Sequence, residues 1–258
     1  GTETNGFQLL KNSNITFKNG TITSEKAKIL IQNYSNLTLD NVKLDGTKLN
    51  DTVPYTLSNN FGNTGIKDST IIAKEGGYAF DLYYWPKNGY GDGLSVTVEG
   101  NSVITGKIEY GGDNTTGSTN VAEYASLNIE GGTFTGELSL GEIGTSSKAG
   151  ITITGGTFKA ADDSVWESYV QPGMKLENGT VVINTATAVA KIGSVGYDTL
   201  AAAIAAAQDG DTVTMLKAYD ATSEETITLD TGKKVTLDLG GFELTLSRFN
   251  LVQGWLTV

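Results

Sequence analysis

One short pattern recurs along this chain and restricts its fold more than any single residue does. Seven stretches carry it: SNITFKNGTI (13–22), SNLTLDNVKL (35–44), GIKDSTIIA (65–73), SVTVEGNSVI (95–104), SLNIEGGTFT (126–135), GITITGGTFK (150–159) and VTLDLGGFEL (235–244). Most run apolar, polar, apolar, break at a polar–Gly or polar–Asn step, and resume with an apolar or aromatic residue. Alternation with period two describes strands with one buried face. The small or Asn/Asp residues after each run suit a sharp turn with positive φ. The first six copies start at 13, 35, 65, 95, 126 and 150, spacings of 22 to 31 residues, which is a solenoid period.

The closest pair is SVTVEGNSVITGKIEYGG (95–112) and SLNIEGGTFTGELSLGE (126–142), each a strand, a turn, a TG corner and a second strand. Coils of two or three strands with corners of variable length form a right-handed parallel β-helix; the left-handed type needs strict hexapeptides, and none occur. Coils stacked about 4.8 Å apart satisfy each strand's backbone from above and below. Val96, Val98, Leu127, Ile129, Phe134, Ile151, Ile153 and Phe158 are then expected to align as internal apolar ladders.

The 258 residues are 38% hydrophobic, enough for a sizeable core in one or two domains. Thirty-three Gly against three Pro fit short strands joined by tight turns. A net charge of −11 argues against nucleic acid and anionic membranes as partners. With no Cys there is neither a disulfide nor a thiolate metal site. The longest near-apolar run, near 200–207, is far too short to span a bilayer. A start at Gly1 with neither signal peptide nor initiator Met reads as a processed or excised piece.

After Phe158 the pattern breaks. Residues 161–184, with Trp166, Tyr169 and a strand near Thr180–Ile183, read as the C-terminal cap of a first module, 1–184. A new start follows at 188. Asp198 or Thr199 is placed to cap a helix running to Gln208, and Gly210 to end it. That helix reads as a plug over a second, incomplete module, 188–258. Within it VTLDLGGFELT (235–245) matches NITFKNGTIT (14–23), and LVQGWLTV (251–258) matches LIQNYSNLTL (30–39).

GGTF at 131–134 and 155–158, WESYVQPGMKLENGTVVI (166–183) and AVAKIGSVGYDTLAAAIAAAQDGDTVTML (188–216) together resemble the repetitive β-helical surface proteins of gut Firmicutes. That family has a pectate-lyase-like fold without the lyase signature. The resemblance covers most of the chain and implies an exported bacterial cell-surface or cell-wall protein, an adhesin or stalk segment. NNFGNTGIKDST (59–70) and the aromatic insertion at 74–94 depart from the family's pattern.

Candidate chemistry is sparse. A lyase of this shape needs carboxylates for calcium and an Arg or Lys base, but the one Arg, Arg248, lies near the C-terminal end. An Asp–Asp–His hydrolase arrangement is ruled out by the absence of His, leaving a two-carboxylate hydrolase as the residual enzymatic reading. YAFDLYYWPKNGYGDG (78–93) is the densest aromatic stretch. There Tyr83, Tyr84, Trp85 and Tyr90 are candidates to stack on sugar rings, with Asp81 and Asp92 to hold hydroxyls. The competing account packs this stretch into the core and over a coil edge. Asp162–Asp163 and Asp209/Asp211 are the only close acid pairs to consider for calcium, and neither supplies the six to eight oxygens of such a site. Stacked Asn ladders are the expected use of several Asn-X-Ser/Thr triplets.

The sequence therefore leads to an all-β chain: a right-handed parallel β-helix solenoid with one short capping α-helix near residues 199–208. It is expected to be a non-enzymatic, extracellular stalk or adhesin without a cofactor, its partners host or cell-wall glycans or proteins. Two alternatives stand beside that. One is a carbohydrate-binding or carbohydrate-active module. The other is head-to-tail self-association through Phe7, Leu9, Ile15 and Phe17 at one end and Leu251, Trp255, Leu256 and Val258 at the other.

Overall fold

The computed structural model describes residues 5–86, 90, 93–113, 120–144, 148–159, 164–223, 226–230, 232–252 and 254–258. The chain forms two compact units, Gly1–Tyr169 and Val170–Val258. The sequence places the break at 184, so the segment 170–184 belongs to the second unit.

The first unit is a stack of parallel coils. Its strands are β1 (Asn5–Leu9) and β2 (Asn14–Thr23); β3 (Ile29–Asn33) and β4 (Asn36–Asp45); then β5 (Tyr55–Asn59), β6 (Gly62–Lys67) and β7 (Thr70–Ile72). There follow β8 (Tyr78–Tyr84), β9 (Leu94–Glu99) and β10 (Val103–Thr105); β11 (Lys107–Gly112), β12 (Ala125–Ile129) and β13 (Thr133–Phe134); and β14 (Leu138–Leu140), β15 (Ile151–Ile153) and β16 (Thr157–Phe158). First strands pair in the order β1-β3-β5-β8-β11-β14, one sheet of six. The remaining strands form a second face, in which the long β4 pairs with both β6 and β7.

That split has a local cause. Asn19, Asn41, Asp68 and Gly100 all have positive φ and occupy the same bend in successive coils. Asn41 Nδ2 donates to Asn19 Oδ1 at 3.0 Å, and Asn36 Nδ2 to Asn14 Oδ1 at 2.9 Å, so asparagine ladders run along the coil edges. At Gly100 a Cβ would collide with the Asp68 carboxylate, which itself accepts the Asn101 N–H at 2.8 Å.

Alternation within each strand builds the core. Ile31, Leu57, Phe80, Ile108 and Leu138 form one buried column. Leu39, Ile66, Val98, Ile129 and Ile153 form another, and Leu44, Ile71, Ile104, Phe134 and Phe158 a third. The eight ladder residues read from the sequence are all buried. Trp166, on the one-turn helix α1 (Ser164–Glu167), closes the third column, its ring 4.7 Å from Phe158 and 5.9 Å from Phe134. A polar column interrupts the apolar ones: Asn33 and Asn59 are fully buried, and with Thr64 and Ser35 they satisfy one another.

One corner varies. Two residues join β3 to β4 (34–35) and β5 to β6 (60–61), but nine join β8 to β9 (85–93), twelve join β11 to β12 (113–124) and ten join β14 to β15 (141–150).

The second unit opens on two antiparallel hairpins: β17 (Met174–Glu177) with β18 (Thr180–Ile183), and β19 (Ala190–Ile192) with β20 (Val195–Tyr197). Asn178 and Gly179, both at positive φ, make the first a two-residue turn. Helix α2 (Leu200–Ala206) is capped by Thr199, whose side chain accepts the Ala202 N–H at 3.1 Å. It is shorter than the expected span to Gln208, because Gln208 N–H turns to the Asp211 carboxylate. Parallel coils follow: β21 (Thr212–Met215), β22 (Tyr219–Ala221) and β23 (Ile227–Leu229), then β24 (Lys234–Asp238), β25 (Leu244–Leu246) and β26 (Phe249–Leu251), then β27 (Trp255–Thr257). Leu200, Ala203 and Ile204 join Val213, Leu229 and Val235 in this unit's core.

Candidate functional site

Strand β8 sorts the aromatic segment by alternation. Phe80 and Leu82 enter the core, while Asp81 and Tyr83 turn to the outer side. Tyr84, expected on a binding face, is instead 4% exposed and stacks on Tyr124 at 5.1 Å, so its ring faces are covered. Tyr83 and Trp85 stay half-exposed, 6.2 Å apart and tilted. Tyr90 packs on Tyr34 at 4.6 Å and on the edge of Phe61 at 5.7 Å, and the Lys11 ammonium lies 4.6 Å from the Phe61 ring centre. Asp92 lies outside the described residues.

Asp81 is not available to a ligand either. In register with Ser58 and Glu109, it is 4% exposed. Its Oδ1 accepts the backbone N–H of Asn59 at 2.6 Å and its Oδ2 the hydroxyl of Ser58 at 3.1 Å. The Asn59 side-chain amide donates to the Asp81 carbonyl at 2.9 Å. Burial is the largest influence on the carboxyl and pushes its pKa up to about 8; the nearby Glu109 charge adds to this, against the Asn59 and Ser58 hydrogen bonds. Burial thus favours the neutral form of Asp81, which works as a clamp between coils.

Around it, Tyr55 and Tyr78 stack at 4.7 Å with ring planes 8° apart, and the Tyr55 hydroxyl donates to Glu109 Oε2 at 2.8 Å. Burial, then that hydrogen bond, raises the Tyr55 phenol well above its usual range. The stack covers the ring faces that Tyr55 and Tyr78 turn to each other. The sequence reading missed Tyr34, Phe61, Tyr55 and Glu109 because they join the segment only through coil register; aligning the copies strand by strand brings Tyr55 over Tyr78.

The ends differ. Phe7 is 41% exposed and meets Phe17 edge-on at 5.5 Å, with Ile15 partly covered, whereas Leu9 is buried at 6% because it continues the inner column over Asn33. At the other end Leu251, Trp255 and Val258 are exposed and Leu256 is half-buried against the core. Asp209 Oδ1 accepts the Lys234 N–H at 2.8 Å, and Asp211 Oδ2 the Gln208 N–H at 2.7 Å, so both serve the backbone. Asp162 and Asp163 lie outside the described residues. Among the described residues no three acidic side chains gather as metal ligands, and no helix is long and apolar enough to cross a membrane.

Comparison with protein-family models, curated proteins and solved structures gave no match for this chain.

Proposed function

We propose that this chain is a non-enzymatic segment of a bacterial cell-surface adhesin, its first unit a stiff β-helical stalk that presents outward side chains for binding. The observation that supports the reading is the continuous parallel pairing of six first strands, backed by three buried columns and asparagine ladders. Such a stack resists bending because each coil is hydrogen-bonded along its length to the next. The Asp81 carboxyl is committed to holding backbone, which favours a scaffold over a hydrolase. Host or cell-wall glycans or proteins are the expected partners, with the half-exposed Tyr83 and Trp85 the aromatic contacts.

Immunogold labelling of intact source cells with antibody to the purified chain tests this. Label on the outside, together with no release of reducing ends from a polysaccharide panel, is the expected result. Label only after lysis overturns it.

A second reading, head-to-tail association, is favoured by one observation: the edge strand β27 and its neighbours expose Leu251, Trp255 and Val258 at 50, 64 and 75%. A further coil laid on that edge would cover them.

A further inference from the structure

A second concave feature of the first unit lies apart from the aromatic segment. Where each coil passes from its last strand to the first strand of the next, successive corners line a groove of about 470 Å³. Lys74, Glu75, Thr105, Lys107, Glu137 and Lys159 stand along it. Its floor is bare peptide. Gly77, Gly106 and Gly136 form the corners, and a Cβ on Gly136 would collide with the Gly106 carbonyl, so no side chain fits between the coils there.

The charges along this groove follow a pattern. In chain order they are Glu75, Lys107, Glu137 and Lys159, alternating in sign from corner to corner. The backbone holds Lys107 and Glu137 in step, with Lys107 N–H donating to Gly77 O at 3.3 Å and Ile108 N–H to Glu137 O at 2.9 Å. Lys159 N–H donates to Phe134 O at 2.8 Å, which sets Lys159 beside Thr135, and Glu75 stands just before Gly77 in its own corner. Each charge thus belongs to its own corner, and successive corners follow at the coil spacing of about 4.8 Å. Lys74 is already used, its ammonium donating to the carbonyls of Leu49 at 2.9 Å and Asp51 at 2.7 Å. None of the other four side chains has a hydrogen-bond or ion-pair partner among the described residues. Three other lysines of this unit are matched: Lys18 to Asp40 at 3.0 Å, Lys43 to Asp45 at 2.9 Å and Lys48 to Glu25 at 2.7 Å.

We propose that this groove binds a zwitterionic glycan, an extended chain in which amino sugars and acidic sugars alternate. The advance of one sugar along such a chain is close to the coil spacing of about 4.8 Å, so one sugar falls on each corner. Its ammonium groups meet Glu75 and Glu137, its acid groups meet Lys107 and Lys159, and its hydroxyls reach Thr105, Thr135 and the bare carbonyls. A uniformly acidic glycan would set its charges against two glutamates, and a uniformly basic one against two lysines. That like-charge mismatch is what provides selectivity. The proposal adds a ligand to the presenting role above without depending on it, since cell labelling can fail while the purified chain still binds.

The test is calorimetric titration of the whole chain, at low salt in mildly acidic buffer, with a hexasaccharide of alternating glucuronate and free glucosamine. Parallel titrations use the N-acetylated parent, which is acidic only, a chitosan hexamer, which is basic only, and a peptide of alternating Lys and Glu. The expected result is binding of the zwitterionic sugar about tenfold tighter than any of the three. Lys107→Gln and Glu137→Gln each weaken it by about tenfold, with an unchanged melting temperature because both side chains lie outside the core. Equal affinity for the acetylated parent or the chitosan hexamer overturns the proposal. So does tighter binding of the peptide, no heat from the zwitterionic sugar, or variants that shift the melting temperature without changing binding.

Discussion

Asp81 Oδ1 accepts the backbone N–H of Asn59 at 2.6 Å, reaching from one coil to the coil before it. A side chain here takes a donor that would otherwise look to a neighbouring carbonyl, and the site is closed to water. Removing the acceptor leaves a buried N–H unmet. Asp81→Ala is expected to lower stability by about 1–3 kcal/mol, read as a fall in the urea midpoint at constant slope.

The same carboxyl sets a pH dependence. Its folded pKa of about 8 lies above the ordinary 3.8. As pH rises from about 4 to about 8, the unfolded chain ionises here while the folded chain keeps its proton. This residue's contribution therefore favours folding in acid, falls through that window and is lost above it. The shift caps the loss at about 5 kcal/mol. Asp81→Asn keeps the shape of the neutral acid and cannot ionise. Its stability relative to the parent is expected to rise between about pH 4 and about pH 8 in denaturant melts, and a flat difference would reject the neutral-acid assignment.

Trp166 covers the last rings of the Phe134–Phe158 column and is 1% exposed. Trp166→Ala exposes that end and opens a void, with an expected cost of about 3–5 kcal/mol. Fraying should start at β16, so hydrogen exchange of the Phe158 and Lys159 amides should quicken before that of Ile66. Uniform loss of protection would mean that the ring supports the whole unit instead.

Gly100 has φ +65°, and its missing Cβ leaves room for the Asp68 carboxylate. Gly100→Ala combines a strained backbone with a collision, for an expected loss of about 1–3 kcal/mol. Trimming the neighbour in an Asp68→Ala background should return part of this, a coupling measurable in a double-mutant cycle.

At the opposite end of the chain, Trp255→Ser with Val258→Ser removes the most exposed apolar side chains. If coils dock on that edge, the parent's sedimentation coefficient rises with concentration and the double variant's does not. A constant value for the parent sinks the head-to-tail reading.

The coil stack was legible because its determinants are local: alternation buries Val96 and Val98, and Asn19, Asn41 and Asp68 mark a bend that needs positive φ. The candidate site was less so. Asp81 and Tyr84 looked available because aromatic and acidic residues are often exposed, but what covers them comes from other coils: Ser58 and Asn59 for one, Tyr124 for the other. Leu9 was read as part of an exposed end, whereas its place in the column over Asn33 depends on register. The alternating groove is spread over Glu75, Lys107, Glu137 and Lys159, too far apart in sequence to form a motif.

The corner after each first strand grows from four, two and two residues in the first three coils to nine, twelve and ten in the later ones, while the strands on either side keep their pairing. Chain can thus be added at this one position without altering the ladder above or below. That makes it the place for evolution to diversify recognition, and for a protein engineer to graft a foreign epitope.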